Sequence, residues 1–186
     1  MSYKDAISKF EEKMNVVIEV QKKEFAGVRT GRANPSLLDR IHVDYYGTLT
    51  PLSQLATVST PDPKTLVVTP WDKGMLAKVE KAILASDLGL TPTNDGNVVR
   101  MSLPHLTEER RKDLVKLVKK IAEDMRVAIR NVRRDAVEAV KKMEKDGLIT
   151  EDELKRAQDE IQKITDRHIA DVDKILAAKE TEIMQV

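Results

Sequence analysis

Three long amphipathic repeats and one interruption predict an α+β chain of two domains, a long antiparallel three-helix bundle with an inserted small β/α/β domain. Apolar residues near the start, in the centre and at the end of the 186-residue chain recur at steps of three and four, the period of a buried helical stripe. For about seventy-five residues in between, that period stops, and short apolar runs bounded by Pro, Gly, Asn and Asp take over. The bundle is therefore expected in residues 1–30 and 106–186 and the inserted domain in 31–105, with hinges near 30–33 and 103–106.

The first helix spans residues 2–28, with Ile7, Phe10, Met14, Val17, Ile18, Phe25 and Val28 as its stripe; Ser2 and Asp5 can cap its start, and Gln21 and Glu24 interrupt the stripe near its end. In the inserted segment Ile41, Val43 and Tyr45 alternate before Gly47. Leu66, Val67 and Val68 follow Pro61-Asp62-Pro63, and Val98, Val99 and Met101 follow Asn94-Asp95-Gly96. These read as short strands and turns. One helix is expected over 73–86, using Met75 or Leu76, Val79, Ile83 and Leu84 and closed by Gly89. Thr107 is placed to cap a helix running to about Lys145, nearly ~60 Å at ~1.5 Å per residue. Its stripe is Leu114, Val118, Ile121, Met125, Ala128, Val132, Ala136, Ala139 and Met143. Gly147 ends it, and Thr150-Glu151-Asp152-Glu153 has the spacing of a capping box that starts a last helix with stripe residues Leu154, Ala157, Ile161, Ile164, His168, Val172 and Ile175. With 3% aromatic residues, the core must be mostly aliphatic.

The formal charge of +1 conceals opposed regions. Residues 106–145 carry thirteen Lys/Arg against eight Asp/Glu, and residues 146–186 carry six against eleven, so the central helix is +5 and the last −5. Absence of cysteine excludes a disulfide scaffold, a zinc ribbon and a Cys nucleophile, and fits a reducing compartment. The N-terminal residues lack a signal-peptide apolar core, and no run approaches membrane-spanning length, so a cytoplasmic protein is expected. No catalytic constellation stands out: His42, His105 and His168 are scattered, no metal-ligand spacing occurs, and Gly27-Val-Arg-Thr-Gly31 has neither the spacing nor the Lys of a phosphate loop. The chain is read as a non-enzyme without metal or cofactor.

The central helix offers different chemistry. At ~100° per residue, Arg126, Arg130 and Arg133 fall together with Lys112 and Lys119, flanked by Lys116, Arg134 and Lys141, away from the apolar stripe. Guanidinium groups three or four residues apart can meet successive phosphates, and each can grip two oxygens. Scarce aromatics disfavour base stacking, so a rod laid on folded RNA fits better than a sequence reader. Two other readings stand beside it: a helical oligomeric scaffold whose basic face is merely solvated, and a general RNA-binding protein.

Arg29-Thr-Gly-Arg-Ala-Asn-Pro-Ser-Leu-Leu-Asp39, Asp44-Tyr-Tyr-Gly47, Ala82-Ile-Leu-Ala-Ser-Asp-Leu-Gly-Leu90, Leu106-Thr-Glu-Glu-Arg-Arg-Lys112 and Arg130-Asn-Val-Arg-Arg-Asp135 resemble bacterial ribosome recycling factors, in order and over essentially the whole chain; Asn34 stands where many members carry Ser. The resemblance implies an L-shaped molecule of transfer-RNA size. It also implies a monomeric factor that binds the post-termination ribosome and, with elongation factor G and its GTP hydrolysis, promotes subunit splitting and release from messenger RNA. Arg130 and Arg133 match the family's contacts with large-subunit ribosomal RNA, and Arg126, Arg134 and Lys119 join that surface on helical geometry. Gly31, Arg32 and Pro104 match the family's hinge, to which the two linkers add Arg29 and His105. The inserted domain is the part expected to meet elongation factor G.

Overall fold

Ser2 and Asp5 close a reciprocal cap: Asp5 N–H donates to Ser2 Oγ (3.3 Å) and Ser2 N–H to Asp5 Oδ2 (2.9 Å), which starts helix α1 (Tyr3–Ala26). The Ser2 N–H foremost, with the Ser2 hydroxyl that donates to the same Oδ2 (3.1 Å), holds the Asp5 carboxyl below its ordinary range. A computed structural model of the chain describes residues 2–28 and 30–185. The remaining elements are β1 (His42–Tyr45), β2 (Thr48–Pro51), β3 (Ala56–Asp62), β4 (Thr65–Pro70), α2 (Leu76–Ala85), β5 (Pro92–Asn94), β6 (Val99–Ser102), α3 (Glu108–Lys145) and α4 (Glu151–Met184). They divide into two compact units, one running through Val28 and resuming from Lys112 to Gln185, the other the intervening chain through Arg111. The architecture is α+β.

In the helical unit, α1 and α4 run parallel, as the pairs Asn15–His168 and Gln21–Val172 require, and α3 runs antiparallel to α4, as Arg126–Asp173 and Arg133–Gln162 require. Thr107 Oγ1 accepts from Arg110 N–H (3.1 Å) at the start of α3. Gly147, at φ +73°, ends it: Gly147 N–H donates to Glu144 O (2.9 Å) and Leu148 N–H to Met143 O (2.8 Å), capping carbonyls that a continuing helix would otherwise use. The Thr150–Glu153 box then starts α4, with both reciprocal bonds present.

The seam of α3 differs from the sequence reading. Leu114, Val118, Ala122, Ile129, Ala136 and Val140 are buried, whereas Ile121, Met125, Ala128, Val132, Ala139 and Met143 are half-buried. Two helices pack against α3, so its apolar face is wide and its centre falls one residue beyond most of the predicted positions. Gln21, read as an interruption, is fully buried, and its Nε2 donates to Val172 O (3.2 Å). His168 is buried as well, with Nδ1 2.7 Å from Ile164 O and Nε2 2.7 Å from Asn15 Oδ1, a packed core histidine.

The other unit contains a two-stranded hairpin and an antiparallel four-stranded sheet of order β3-β4-β6-β5. Tyr46 (φ +48°) and Gly47 (φ +87°) form the two-residue turn between β1 and β2, where Asp44 Oδ1 accepts from Gly47 N–H (2.8 Å). Leu66, Val68, Val99 and Met101 of β4 and β6 pack with Val79 and Ile83 of α2 and with Leu38, Val43 and Leu52 to build a core of aliphatic and Met side chains. Three strands, β2, β3 and β5, were not legible in the sequence. Leu84 is exposed rather than packed, and α2 is ended by Ser86, whose Oγ and N–H both bond to Ile83 O, before Gly89 is reached.

Candidate nucleic-acid interface

Each guanidinium on α3 has its own surroundings. Arg126 is enclosed, its side chain 21% exposed, because it lies at the margin of the seam near Ile129 and turns toward α4. Its Nε and Nη2 donate to Asp173 Oδ1 at 2.9 and 2.6 Å, and its Nη1 donates to Glu123 Oε2 at 2.9 Å. These charge-assisted bonds, that to Asp173 foremost, hold its proton still more firmly than usual. Arg130, one turn on, reaches the other Glu123 oxygen at 3.4 Å. Arg133 lies a heptad from Arg126, beside the same margin, and donates to Gln162 Oε1 of α4 at 3.0 Å; Gln162 Nε2 donates in turn to Asp166. Its immediate partner is therefore neutral. Arg134 is exposed and has no hydrogen-bond or ion-pair partner among the described residues. Lys119 stands 3.8 Å from Glu180, beyond hydrogen-bond length.

The structure thus brings the five predicted cations to one helix and sorts them. Arg126 and Arg133 line the α3–α4 border, which corrects the reading of a face wholly apart from the packing seam. The residues that hold them there, Asp173 and Gln162, were missed; the signal was the seven-residue spacing of positions 126 and 133 beside the heptad Ala122, Ile129 and Ala136. Among the described residues, no group of three or more His, Cys, Asp or Glu is placed to hold a metal ion, and no helix is long and apolar enough to cross a membrane.

The predicted hinge residues all lie in the inserted unit except Arg29, which lies outside the described residues. Gly31 sits at φ +75°, where an added Cβ would also meet the Leu106 side chain at 3.2 Å. Ala33 N–H donates to Pro63 O (2.6 Å) and Leu103 N–H to Lys64 O (2.8 Å), so the β3–β4 turn holds both linkers. Lys64 Nζ lies 3.3 Å from His105 Nδ1; Arg32 and Pro104 are exposed.

The family profile described as Ribosome recycling factor matches residues 21–184. The Ribosome-recycling factor of Carboxydothermus hydrogenoformans is 56% identical over 182 residues, 98% of each chain. A solution structure of the ribosome recycling factor superposes with a TM-score of 0.79 at 45% identity, covering 100% of this chain and 99% of that one. The T. thermophilus factor, described together with the E. coli elongation factor G bound to the E. coli post-termination complex, gives a TM-score of 0.68 at 51% identity, with both chains fully covered. With the profile spanning most of the chain and relatives matching it nearly end to end, the protein belongs to the ribosome recycling factor family.

Proposed function

We propose that this chain binds the post-termination ribosome and, with elongation factor G and GTP, promotes subunit splitting and release from messenger RNA. The observation that carries the reading is its full-length similarity to the T. thermophilus factor described with elongation factor G on that complex. GTP is consumed by the partner, so the chain itself acts without a cofactor, as a monomer in the cytoplasm. Arg130, Arg133, Arg134, Lys119 and the bonded Arg126 form the surface that meets large-subunit ribosomal RNA. Arg133 and Arg134 are central, because neither has an acid as its direct partner and both keep donors for phosphate oxygens. Gly31, Arg32, Pro104 and His105, with Arg29, serve as the flexible connection. The inserted domain meets elongation factor G through its exposed Tyr46, Leu49 and Trp71, residues of which Tyr and Trp are typical anchors at protein interfaces.

Sedimentation of the protein with 70S ribosomes across a salt series tests the RNA surface. Wild type binds with a steep salt dependence, and Arg133→Glu loses about ten- to a hundredfold in affinity at unchanged helicity. Equal affinity of the two chains for ribosomes overturns the assignment.

A further inference from the structure

One acid stands in the middle of the cationic surface. Glu123 is half exposed, and its two carboxylate oxygens are divided between two arginines: Oε2 accepts from Arg126 Nη1 at 2.9 Å and Oε1 from Arg130 Nη1 at 3.4 Å. Asp173 holds the other edge of Arg126. Asp173, Arg126, Glu123 and Arg130 form a chain of four alternating charges with no net charge, whereas Arg133 and Arg134 next to it have no direct acidic partner. The two links to Glu123 differ. Arg126 is enclosed and makes three bonds, so displacing its carboxylates would uncover a partly desolvated cation. Arg130 is 53% exposed and holds one long bond, an ion pair of the kind worth little in water. A phosphate arriving at this surface can displace the second link and leave the first intact.

We propose that Glu123 is a positioning residue for RNA binding: a built-in counterion, anchored by Arg126, that orients Arg130 and competes with phosphate for it. The inference rests on the RNA surface proposed above and adds to it that Arg130 is a shared ligand whose contribution is lowered by Glu123, so that binding stays readily reversible.

The test measures binding to 70S ribosomes and to a 20-base-pair RNA duplex of arbitrary sequence, each across a salt series. Glu123→Gln preserves the shape and one acceptor but removes the charge. It is expected to tighten binding to both probes by about two- to fivefold and to steepen the logarithmic salt slope by about 0.7 to 0.9, one more phosphate neutralised. The gain should vanish when Arg130→Gln is added, because the carboxylate acts through Arg130. Asp173→Asn serves as the second variant: it lowers the melting temperature by loosening α3 from α4, and because Asp173 bonds Arg126 and not Arg130, any change it makes in binding should survive Arg130→Gln. A Glu123→Gln chain of wild-type helicity with an unchanged slope, or a gain that survives Arg130→Gln, overturns the role of Glu123 while the RNA surface stands. Wild-type binding without salt dependence on ribosomes overturns both.

Discussion

The helical unit and the inserted domain solve the burial problem in opposite ways. The bundle keeps polar groups inside: Gln21, Thr165 and His168 are buried, each bonded to a carbonyl, and two of them tie α1 to α4. The core cluster of the inserted domain, from Leu38 to Met101, is apolar; Thr30 is a buried polar residue of that unit outside the cluster, and much of its polar bonding lies in turns such as Asp44–Gly47, Asp62–Lys64 and Asp95–Val98. Their surfaces contrast as well. The bundle displays a row of cations on α3; the inserted domain, with seven Lys/Arg against seven Asp/Glu over 31–105, displays Tyr46, Leu49 and Trp71. A long helix pair can slide by one turn without losing much apolar contact, so single polar bonds help fix its register. A small sheet is registered by its ladder and turns and needs no such key.

Core truncation should break this comparison most strongly. Ile129 and Leu66 are each fully buried, one in each unit, and replacing either with Ala costs about 2–5 kcal/mol. Hydrogen exchange locates the loss: Ile129→Ala should lower protection along α3 and α4 more than in β4 and β6, and Leu66→Ala the reverse. Uniform loss from both substitutions would mean that the two units unfold as one.

A smaller effect is expected from the surface contrast. Trp71→Ala removes an exposed ring whose Nε1 donates to Thr57 Oγ1 (3.3 Å), and the fold should tolerate it. Ribosome binding should stay near wild type while the step that depends on elongation factor G slows by about fivefold or more. An equal fall in binding would move the aromatic surface to the RNA side.

The smallest expected effect comes from acid. Asp62 and Asp95 have carboxyls held below their ordinary range, chiefly by the backbone N–H groups of Lys64 and Val98 respectively. The unfolded chain therefore binds more protons than the folded one in this range, and stability rises with pH there. The contribution is complete above the ordinary carboxylate pKa and is lost as pH falls through the lowered values. An NMR titration should place both midpoints below that of a free aspartate, with faster exchange at the Lys64 and Val98 amides in acid. Ordinary midpoints would remove the turns as acid-sensitive points.

The same contrast explains what could be read from the chain. The three long helices, with Ser2, Thr107, Gly147 and Thr150 at their ends, were legible because a period of 3.6 repeats over many turns and each cap has a residue signature. Strand β3 alternates only over residues 56–59 and then runs exposed through Asp62; β2 buries none of its residues and β5 buries only Pro92, so neither displays an apolar alternation. At the cationic surface the arginines were legible as a face of α3. Asp173 and Gln162 were not, because their place opposite Arg126 and Arg133 depends on how α4 is registered against α3. Glu123 stands three residues before Arg126 and seven before Arg130, but its division between the two guanidiniums depends on rotamers that spacing does not fix.

The most direct measurement is polysome breakdown on sucrose gradients, with post-termination ribosomes, elongation factor G and GTP, comparing wild type with Arg133→Glu. Conversion to free ribosomes and subunits that needs the wild-type chain, and falls by about tenfold or more with Arg133→Glu, is the expected result. Conversion that proceeds equally with the variant would contradict the assignment of α3 as the ribosome-binding surface, and no conversion with wild type, all other components being active, would contradict recycling itself.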